Sequence, residues 1–112
     1  MKMDEQTQQR IKQLIEDNPV MLFMKGTPDA PLCGFSWRVA VLLLEREVDF
    51  GYCDVIAEQA VREEIKEYAD WPTIPQLYIN GSFIGGCEIV EEMAEQGTLD
   101  STLAKIRADP QQ

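Results

Sequence analysis

Cys33 is the side chain in this sequence best placed to do chemistry. It follows a buried apolar run at residues 20–24 and a loop rich in glycine and proline, and it comes just before an apolar helical segment. The first N–H groups of a helix lack partners and its dipole favours negative charge, so a thiol there ionises more easily. Lys25, at the end of the preceding strand, adds a positive charge nearby. The alternative, a buried structural cysteine, is disfavoured by the position between Pro31 and Gly34.

Ser36 stands three residues after Cys33, where a C-x-x-C motif would have its second thiol. A mixed disulfide formed on Cys33 therefore cannot be resolved within the motif. Three roles remain for this thiol: resolution by an external thiol such as glutathione, resolution by a distant cysteine, or service as a metal ligand.

The composition excludes several other kinds of site. The sequence has no histidine, which removes Cys–His catalysis, histidine acid–base chemistry and Cys/His zinc patterns. Its three cysteines cannot supply four thiolates, so a centre of that kind would need ligands from another subunit or a small thiol. Ten Lys and Arg against twenty Asp and Glu give a net charge of −10, which disfavours binding to nucleic acid.

Length and hydropathy predict a single domain over residues 1–112. No apolar run approaches the roughly 20 residues that a transmembrane helix needs. The first 18 residues are polar and mixed in charge, unlike a signal or transit peptide. We therefore expect a cytoplasmic protein that does not associate with membranes.

Apolar periodicity predicts the elements that must position Cys33. Asp17-Asn18-Pro19 ends a first helix, because a residue before proline avoids helical angles, and the apolar run after it predicts a strand buried on both faces. The hydrophobic breadth of the helix after Cys33 predicts that it is largely covered. The predicted order is a helix over about 4–17, a strand over 20–24, a loop over 25–31, a helix over 34–47, a strand over 49–54 and a helix containing Val61, Ile65 and Tyr68.

The second half of the chain predicts a hairpin followed by two helices. Asn80-Gly81 between two β-prone runs is a strong hairpin signal, and Gly85-Gly86 ends that hairpin. Gly97 closes the next helix, and a short last helix precedes a polar tail at about 108–112. A βαβ unit followed by a ββα unit predicts an α/β fold of the thioredoxin type, with a central four-stranded mixed sheet flanked by helices on both faces.

Four motifs in register make this sequence resemble the CGFS-type monothiol glutaredoxins in their short single-domain form. The resemblance extends from about residue 16 to 97. It implies a glutaredoxin fold, glutathione binding, and a [2Fe–2S] cluster held by two Cys33 thiolates and two glutathione thiols in a homodimer. The motifs are Met24-Lys25-Gly26-Thr27, Cys33-Gly34-Phe35-Ser36, Trp71-Pro72-Thr73-Ile74-Pro75-Gln76 and Gly85-Gly86-Cys87.

The resemblance also assigns two cations to the glycine carboxylate of glutathione, Lys25 and Arg62. Spacing alone leaves Arg62 another role on an exposed helix face, as a partner of Glu58 four residues earlier or of the neighbours of Lys66. The Trp71-Pro72 pair could belong to the binding site or equally be part of the core and a turn.

The remaining implied contacts involve mostly backbone. A cis Ile74-Pro75 bond would place the backbone of Ile74 beside the cysteinyl part of glutathione, and Gly86 would let a backbone approach closely. The N–H groups of Cys87 and Glu88, at a helix start, would receive the γ-glutamyl carboxylate. The implied glutathione-binding set is Lys25, Cys33, Arg62, Thr73, Ile74, Pro75, Gly86, Cys87 and Glu88, with Cys33 also the catalytic residue and the metal ligand.

Two further features qualify the resemblance. Glu88 stands where the family usually has Asp, and the loop over 27–32 matches the longer loop of the cluster-binding class, which is thought to disfavour efficient disulfide reduction. Two roles stay open for Cys87: a half-buried residue beside the site, or a disulfide partner of Cys33 under oxidation. Cys53 is expected to be a small apolar filler.

Three functions stay open at this point. The first is an iron–sulfur carrier, for which the resemblance implies cluster transfer, a role in iron homeostasis, and BolA-like proteins and apo iron–sulfur proteins as partners. The second is a glutathione-dependent oxidoreductase that deglutathionylates proteins with Cys33 as nucleophile. The third is a scaffold or regulator whose output is the binding of a partner.

Overall fold

The computed structural model describes residues 5–108, so the predicted start of the first helix at residue 4 and the tail from residue 109 lie outside the described residues. Within this range no helix is both long enough and apolar enough to span a membrane. The helices are α1 (Glu5–Asp17), α2 (Gly34–Glu45), α3 (Gln59–Ala69), α4 (Cys87–Gln96) and α5 (Thr98–Ala108). The strands are β1 (Val20–Met24), β2 (Gly26–Thr27), β3 (Ala30–Pro31), β4 (Gly51–Asp54), β5 (Gln76–Ile79) and β6 (Ser82–Gly85).

The predicted four-stranded mixed sheet is confirmed, with strand order β4-β1-β5-β6. Strand β1 pairs in parallel with β4 and antiparallel with β5, and β5 pairs antiparallel with β6. All five residues of β1 are buried, because this inner strand is covered on both faces of the sheet. The sheet therefore provides a rigid base, from whose β1 end the chain continues towards Cys33.

The core is divided between the two faces of the sheet. On one face, Leu22 and Leu77 pack with buried residues of α2, α4 and α5. On the other, Met21, Phe23 and Tyr78 pack with buried residues of α1 and α3. This division follows from the alternation of side chains along a strand. It fixes α2, which begins beside Cys33, and α3, which carries Arg62, on opposite faces of one sheet.

Residues 25–31 were expected to form a loop and instead contain the two-residue strands β2 and β3, paired as a small hairpin. The Leu32 N–H donates to the carbonyl of Lys25 at 3.0 Å, which returns the chain to the end of β1. Gly26 has a φ of +88°, and a Cβ there would lie 2.6 Å from the Ala30 carbonyl oxygen, so this turn requires glycine.

The expectation that the helix after Cys33 is largely covered is wrong. Helix α2 ends at Glu45, and it packs through one stripe that contains Val39, Ala40 and Leu43. Trp37 is 53% exposed and Leu44 51% exposed, because they lie on the face that points away from the sheet and α4. The apolar residues on several sides of this helix therefore form an exposed apolar face as well as the face that packs in the core.

Neighbouring leucines of α2 test this packing. Leu43→Ala is expected to lower the free energy of unfolding by about 2–5 kcal/mol, because it leaves a cavity beneath a fully buried side chain. Leu44→Ala, the matched control on the exposed face, is expected to change it by less than about 0.5 kcal/mol. Urea unfolding followed by circular dichroism measures both. Equal losses in the two variants would contradict the assigned orientation of α2.

Candidate functional site

The sulfur of Cys33 sits at the N-terminus of α2, as the sequence predicts. Cys33 is the N-cap residue, with extended φ and ψ of −152° and 153°, and its sulfur accepts a hydrogen bond from the Ser36 N–H at 3.4 Å. The thiol is only partly buried. An N-cap side chain normally supplies an oxygen acceptor to these open N–H groups, so here the helix end directs its donors at a sulfur.

The Ser36 hydroxyl is the second feature of the sulfur's surroundings. It is fully buried, lies 3.4 Å from the Cys33 sulfur and accepts a hydrogen bond from the Lys25 N–H at 3.0 Å. Burial alone raises the pKa of the Cys33 thiol, but hydrogen bonds from Ser36 and Phe35 and the charge of Lys25 outweigh it, so the pKa lies below its ordinary value. The site thus favours the thiolate, the form that attacks disulfides and binds metals.

A cleft of about 590 Å³ lies beside the start of α2, where Phe35 forms part of its wall. Cys33 itself lies in a shallow depression with Leu32 and Trp37. Lys25 connects this depression to the cleft, because it lines the cleft and its backbone N–H donates to the Ser36 hydroxyl. Every predicted glutathione-binding residue other than Cys33 is part of the cleft wall. The lining residues are Lys25, Phe35, Arg62, Lys66, Trp71, Pro72, Thr73, Ile74, Pro75, Gly86, Cys87, Glu88 and Ile89.

The segment from Trp71 to Pro75 forms one wall and is held from behind by Gln76. The side-chain amide of this fully buried residue donates to the Trp71 carbonyl at 3.1 Å and to the Thr73 carbonyl at 3.3 Å. Its oxygen accepts a hydrogen bond from the Tyr78 hydroxyl at 3.1 Å. The predicted cis Ile74-Pro75 bond is confirmed. The wall is therefore a turn fixed to β5.

The opposite wall is the start of α4. Its N-cap is Gly86, with no side chain capping the first N–H groups, and Glu88 is exposed in the first turn. A Cβ on Gly86 would lie 3.3 Å from both the Pro75 carbonyl oxygen and Trp71 Nε1, so a side chain there would press against the facing wall. Open N–H groups at a helix start are a common binding place for anions.

Two buried donors in the cleft wall have no partner within residues 5–108. They are Nε of Arg62 and Nε1 of Trp71. The expected alternative partner of Arg62, Glu58, is instead bound by Arg10, through two N···O contacts of 2.7 Å. Because a buried donor without an acceptor is costly, the two groups indicate a ligand with acceptor oxygens, such as a carboxylate.

Five lining residues were not included in the predicted site: Phe35, Lys66, Trp71, Pro72 and Ile89. Lys66 lies four residues after Arg62, and this spacing places both cations on one face of α3. Phe35 belongs to the CGFS motif itself, and its exposed ring lies 5.8 Å from the guanidinium carbon of Arg38. The sequence left the role of Trp71 open between the core and the site. The structure places this residue in the cleft wall.

The other two cysteines differ from Cys33. Cys53 is buried in the core beneath α3, and burial raises its pKa to about 12, which confirms the prediction of an apolar filler. Burial also raises the pKa of Cys87, which lines the cleft. Cys87 is buried rather than half-buried, while its role in glutathione binding and a disulfide with Cys33 stay predictions.

Comparisons with known proteins agree on one family. The Glutaredoxin family model matches residues 20–84, more than half of the chain. The chain is 44% identical to Glutaredoxin 4 of Pasteurella multocida over 92% of its own length and 94% of the relative's. It is 50% identical to a monothiol glutaredoxin of rice over 90% of this chain, which spans only 21% of the rice protein. A buckwheat glutaredoxin–glutathione complex superposes with a TM-score of 0.81 at 26% identity, over 90% of each chain.

Replacement of the buried hydroxyl tests the electrostatics of the sulfur. Ser36→Ala is expected to raise the pKa of Cys33, because it removes a hydrogen bond to the thiolate and leaves the burial in place. The rate at which iodoacetamide alkylates Cys33, followed by mass spectrometry across pH 5–10, should then have a higher midpoint and be several-fold slower at pH 7. Ser101→Ala, which removes an exposed hydroxyl of α5, is the control. An unchanged midpoint in Ser36→Ala would show that the backbone N–H groups and Lys25 lower this pKa without the hydroxyl.

Proposed function

Because this chain belongs to the glutaredoxin family, in its monothiol form, we propose that it binds glutathione in the cleft beside Cys33 and carries a [2Fe–2S] cluster between two subunits. The observation that carries this proposal is a thiolate-favouring sulfur next to a cleft with unpartnered cationic and N–H donors. Glutathione brings both a thiol and two carboxylates, so one ligand suits both features.

Glutathione fits the cleft through its two ends. The Arg62 and Lys66 side chains on α3, with Lys25 after β1, would hold the glycine carboxylate. The open N–H groups of Cys87 and Glu88 would receive the γ-glutamyl carboxylate, because the N-terminus of α4 favours negative charge. The similar buckwheat glutaredoxin was solved as a complex with glutathione, which supports the same ligand here.

The cluster is proposed from the donor set of the site. Four thiolates hold a [2Fe–2S] cluster, and within residues 5–108 no three Cys, Asp or Glu side chains gather as a metal site. One Cys33 and one bound glutathione thiol supply half of the set, so a second subunit with its own glutathione would complete it. Leu32, Phe35 and Trp37 are 53–63% exposed around Cys33 and offer an apolar surface for that contact.

This chain would act as a carrier if the cluster is cargo held by exchangeable thiols. We propose apo iron–sulfur proteins and BolA-like proteins as its partners and iron homeostasis as its setting. The cytoplasmic location is likewise a proposal, which rests on the need for a reduced Cys33 and a pool of glutathione. The homodimer is expected to form only while cluster and glutathione are bound.

A second candidate is supported by the lowered pKa of Cys33. The thiolate would attack the glutathione sulfur of a glutathionylated protein, form a Cys33–glutathione disulfide and release the protein thiolate. A second glutathione thiolate would then release Cys33 and leave as glutathione disulfide. Ser36 supplies no competing thiol, so in this proposed route an external glutathione completes each cycle.

Removal of one cation tests the cleft. Arg62→Ala is expected to weaken glutathione binding about tenfold or more, because a charge-assisted hydrogen bond to the ligand is lost. Titration calorimetry with reduced glutathione measures the change. Arg46→Ala is the matched control, since Arg46 pairs with Asp100 just beyond the C-terminal end of α2, about 18 Å from its N-terminus for 12 residues. Equal affinities in both variants would place glutathione elsewhere.

Anaerobic reconstitution with iron, sulfide and glutathione tests the cluster. The wild type is expected to develop visible charge-transfer absorption and to elute as a dimer in size-exclusion chromatography. Cys33→Ser is expected to lose both, while Cys53→Ala, which changes a buried cysteine away from the cleft, keeps both. A colourless monomer in every variant would favour the oxidoreductase. Turnover of a glutathionylated peptide, abolished in Cys33→Ser, would then be the activity to measure.

A further inference from the structure

We propose that Arg10 is a positioning residue for the cleft: by binding Glu58, it keeps that carboxylate from pairing with Arg62 and leaves Arg62 free for a ligand. Arg10 lines neither the cleft nor the depression that holds Cys33, so its proposed effect on a ligand is indirect, through Glu58. The consequence for glutathione rests on the function proposed above, whereas the effect on the side chain of Arg62 does not.

The pair between Arg10 and Glu58 joins α1 to the start of α3. Nε of Arg10 donates to one carboxylate oxygen of Glu58 at 2.7 Å, and a terminal nitrogen donates to the other at 2.7 Å. Both oxygens are therefore occupied by one planar guanidinium, the strongest geometry for such a pair. The side chains are 49% and 35% exposed, so water still reaches the pair.

Glu58 is placed to compete for Arg62. It is the N-cap residue of α3, and its carbonyl accepts the Arg62 N–H at 3.1 Å, so the two residues are one helical turn apart. A Glu four residues before a cation is the favourable order for a side-chain pair on a helix. The other positions three or four residues from Arg62 hold Gln59, Ile65 and Lys66, so Glu58 is the one carboxylate at these spacings.

Arg62 is unpaired within residues 5–108, as expected if the carboxylate of Glu58 is held by Arg10. Its Nε is buried in the cleft wall and has no partner among the described residues. An Arg62–Glu58 pair would have to be broken before a ligand carboxylate could bind. A cation that is already unpaired avoids this cost, which is the usual advantage of preorganisation.

A simpler role for Arg10 is to fasten α1 to α3. The two roles predict different behaviour in a double variant. If the pair only fastens the helices, removal of either partner weakens ligand binding equally, and removal of both does not restore it. If Arg10 withholds a competitor, Arg10→Ala is harmful only while Glu58 keeps its charge.

Glutathione affinity separates these roles. Arg10→Ala is expected to weaken binding about threefold, the scale of a charged side-chain pair on a helix with some burial. Glu58→Gln is expected to bind as the wild type does, and Arg10→Ala/Glu58→Gln to return close to wild-type affinity. Arg46→Ala, which removes the same charge from the Arg46–Asp100 pair, controls for net charge. Thermal unfolding of each variant shows whether the fold is retained.

A second measurement does not depend on glutathione. The Nε–H resonance of Arg62 in ¹H–¹⁵N spectra is expected to shift in Arg10→Ala and to return in the double variant. A resonance that stays in place in Arg10→Ala, or an affinity loss that Glu58→Gln does not restore, would overturn the proposal. If the wild type binds no glutathione but the resonance still shifts and returns, the proposed function fails and the role of Arg10 stands.

Discussion

The buried hydroxyl of Ser36 is the contact on which the site depends. It binds the Lys25 N–H at the end of β1 and lies against the Cys33 sulfur at the start of α2. One oxygen therefore joins the sheet, the helix and the reactive group. In a dithiol motif this position would carry a second sulfur that attacks the first. A hydroxyl stabilises the thiolate and cannot form a disulfide with it, so the monothiol motif keeps an activated sulfur for an outside partner.

The wall formed by residues 71–75 likewise depends on a single buried polar side chain. Gln76 is buried beside Tyr78 in β5, and its amide fixes two carbonyls of the turn that begins at Trp71. A buried polar side chain with all these partners stabilises one conformation of that turn. The turn then leaves Trp71 Nε1 without an acceptor among residues 5–108. The same turn therefore has its carbonyls hydrogen-bonded on the core side and an unpartnered indole N–H on the cleft side.

Much of this could be predicted from the sequence. The apolar run of β1, the Asn80-Gly81 hairpin and the helix start at Cys33 follow from local rules, and four motifs in register located the cleft residues. The exposure of Trp37 and the partner of Glu58 could not be predicted in this way. Periodicity shows that a helix has apolar faces but not which face meets the sheet. Arg10 and Glu58 are 48 residues apart, so only the packing of α1 on α3 brings them together.

The distribution of ion pairs bears on the anionic ligand proposed for so acidic a chain. Arg10, Arg38 and Arg46 each pair with a carboxylate from another element, whereas Arg62 enters no ion pair within residues 5–108. Exposed pairs of this kind contribute little to stability; the effect proposed for the Arg10–Glu58 pair is to leave Arg62 available. With a net charge of −10, an unpaired arginine in a partly enclosed cleft is the favourable place for a carboxylate, since burial reduces the screening of its charge. On an otherwise acidic surface, a carboxylate ligand is therefore favoured at the cleft that gathers Arg62, Lys25 and Lys66.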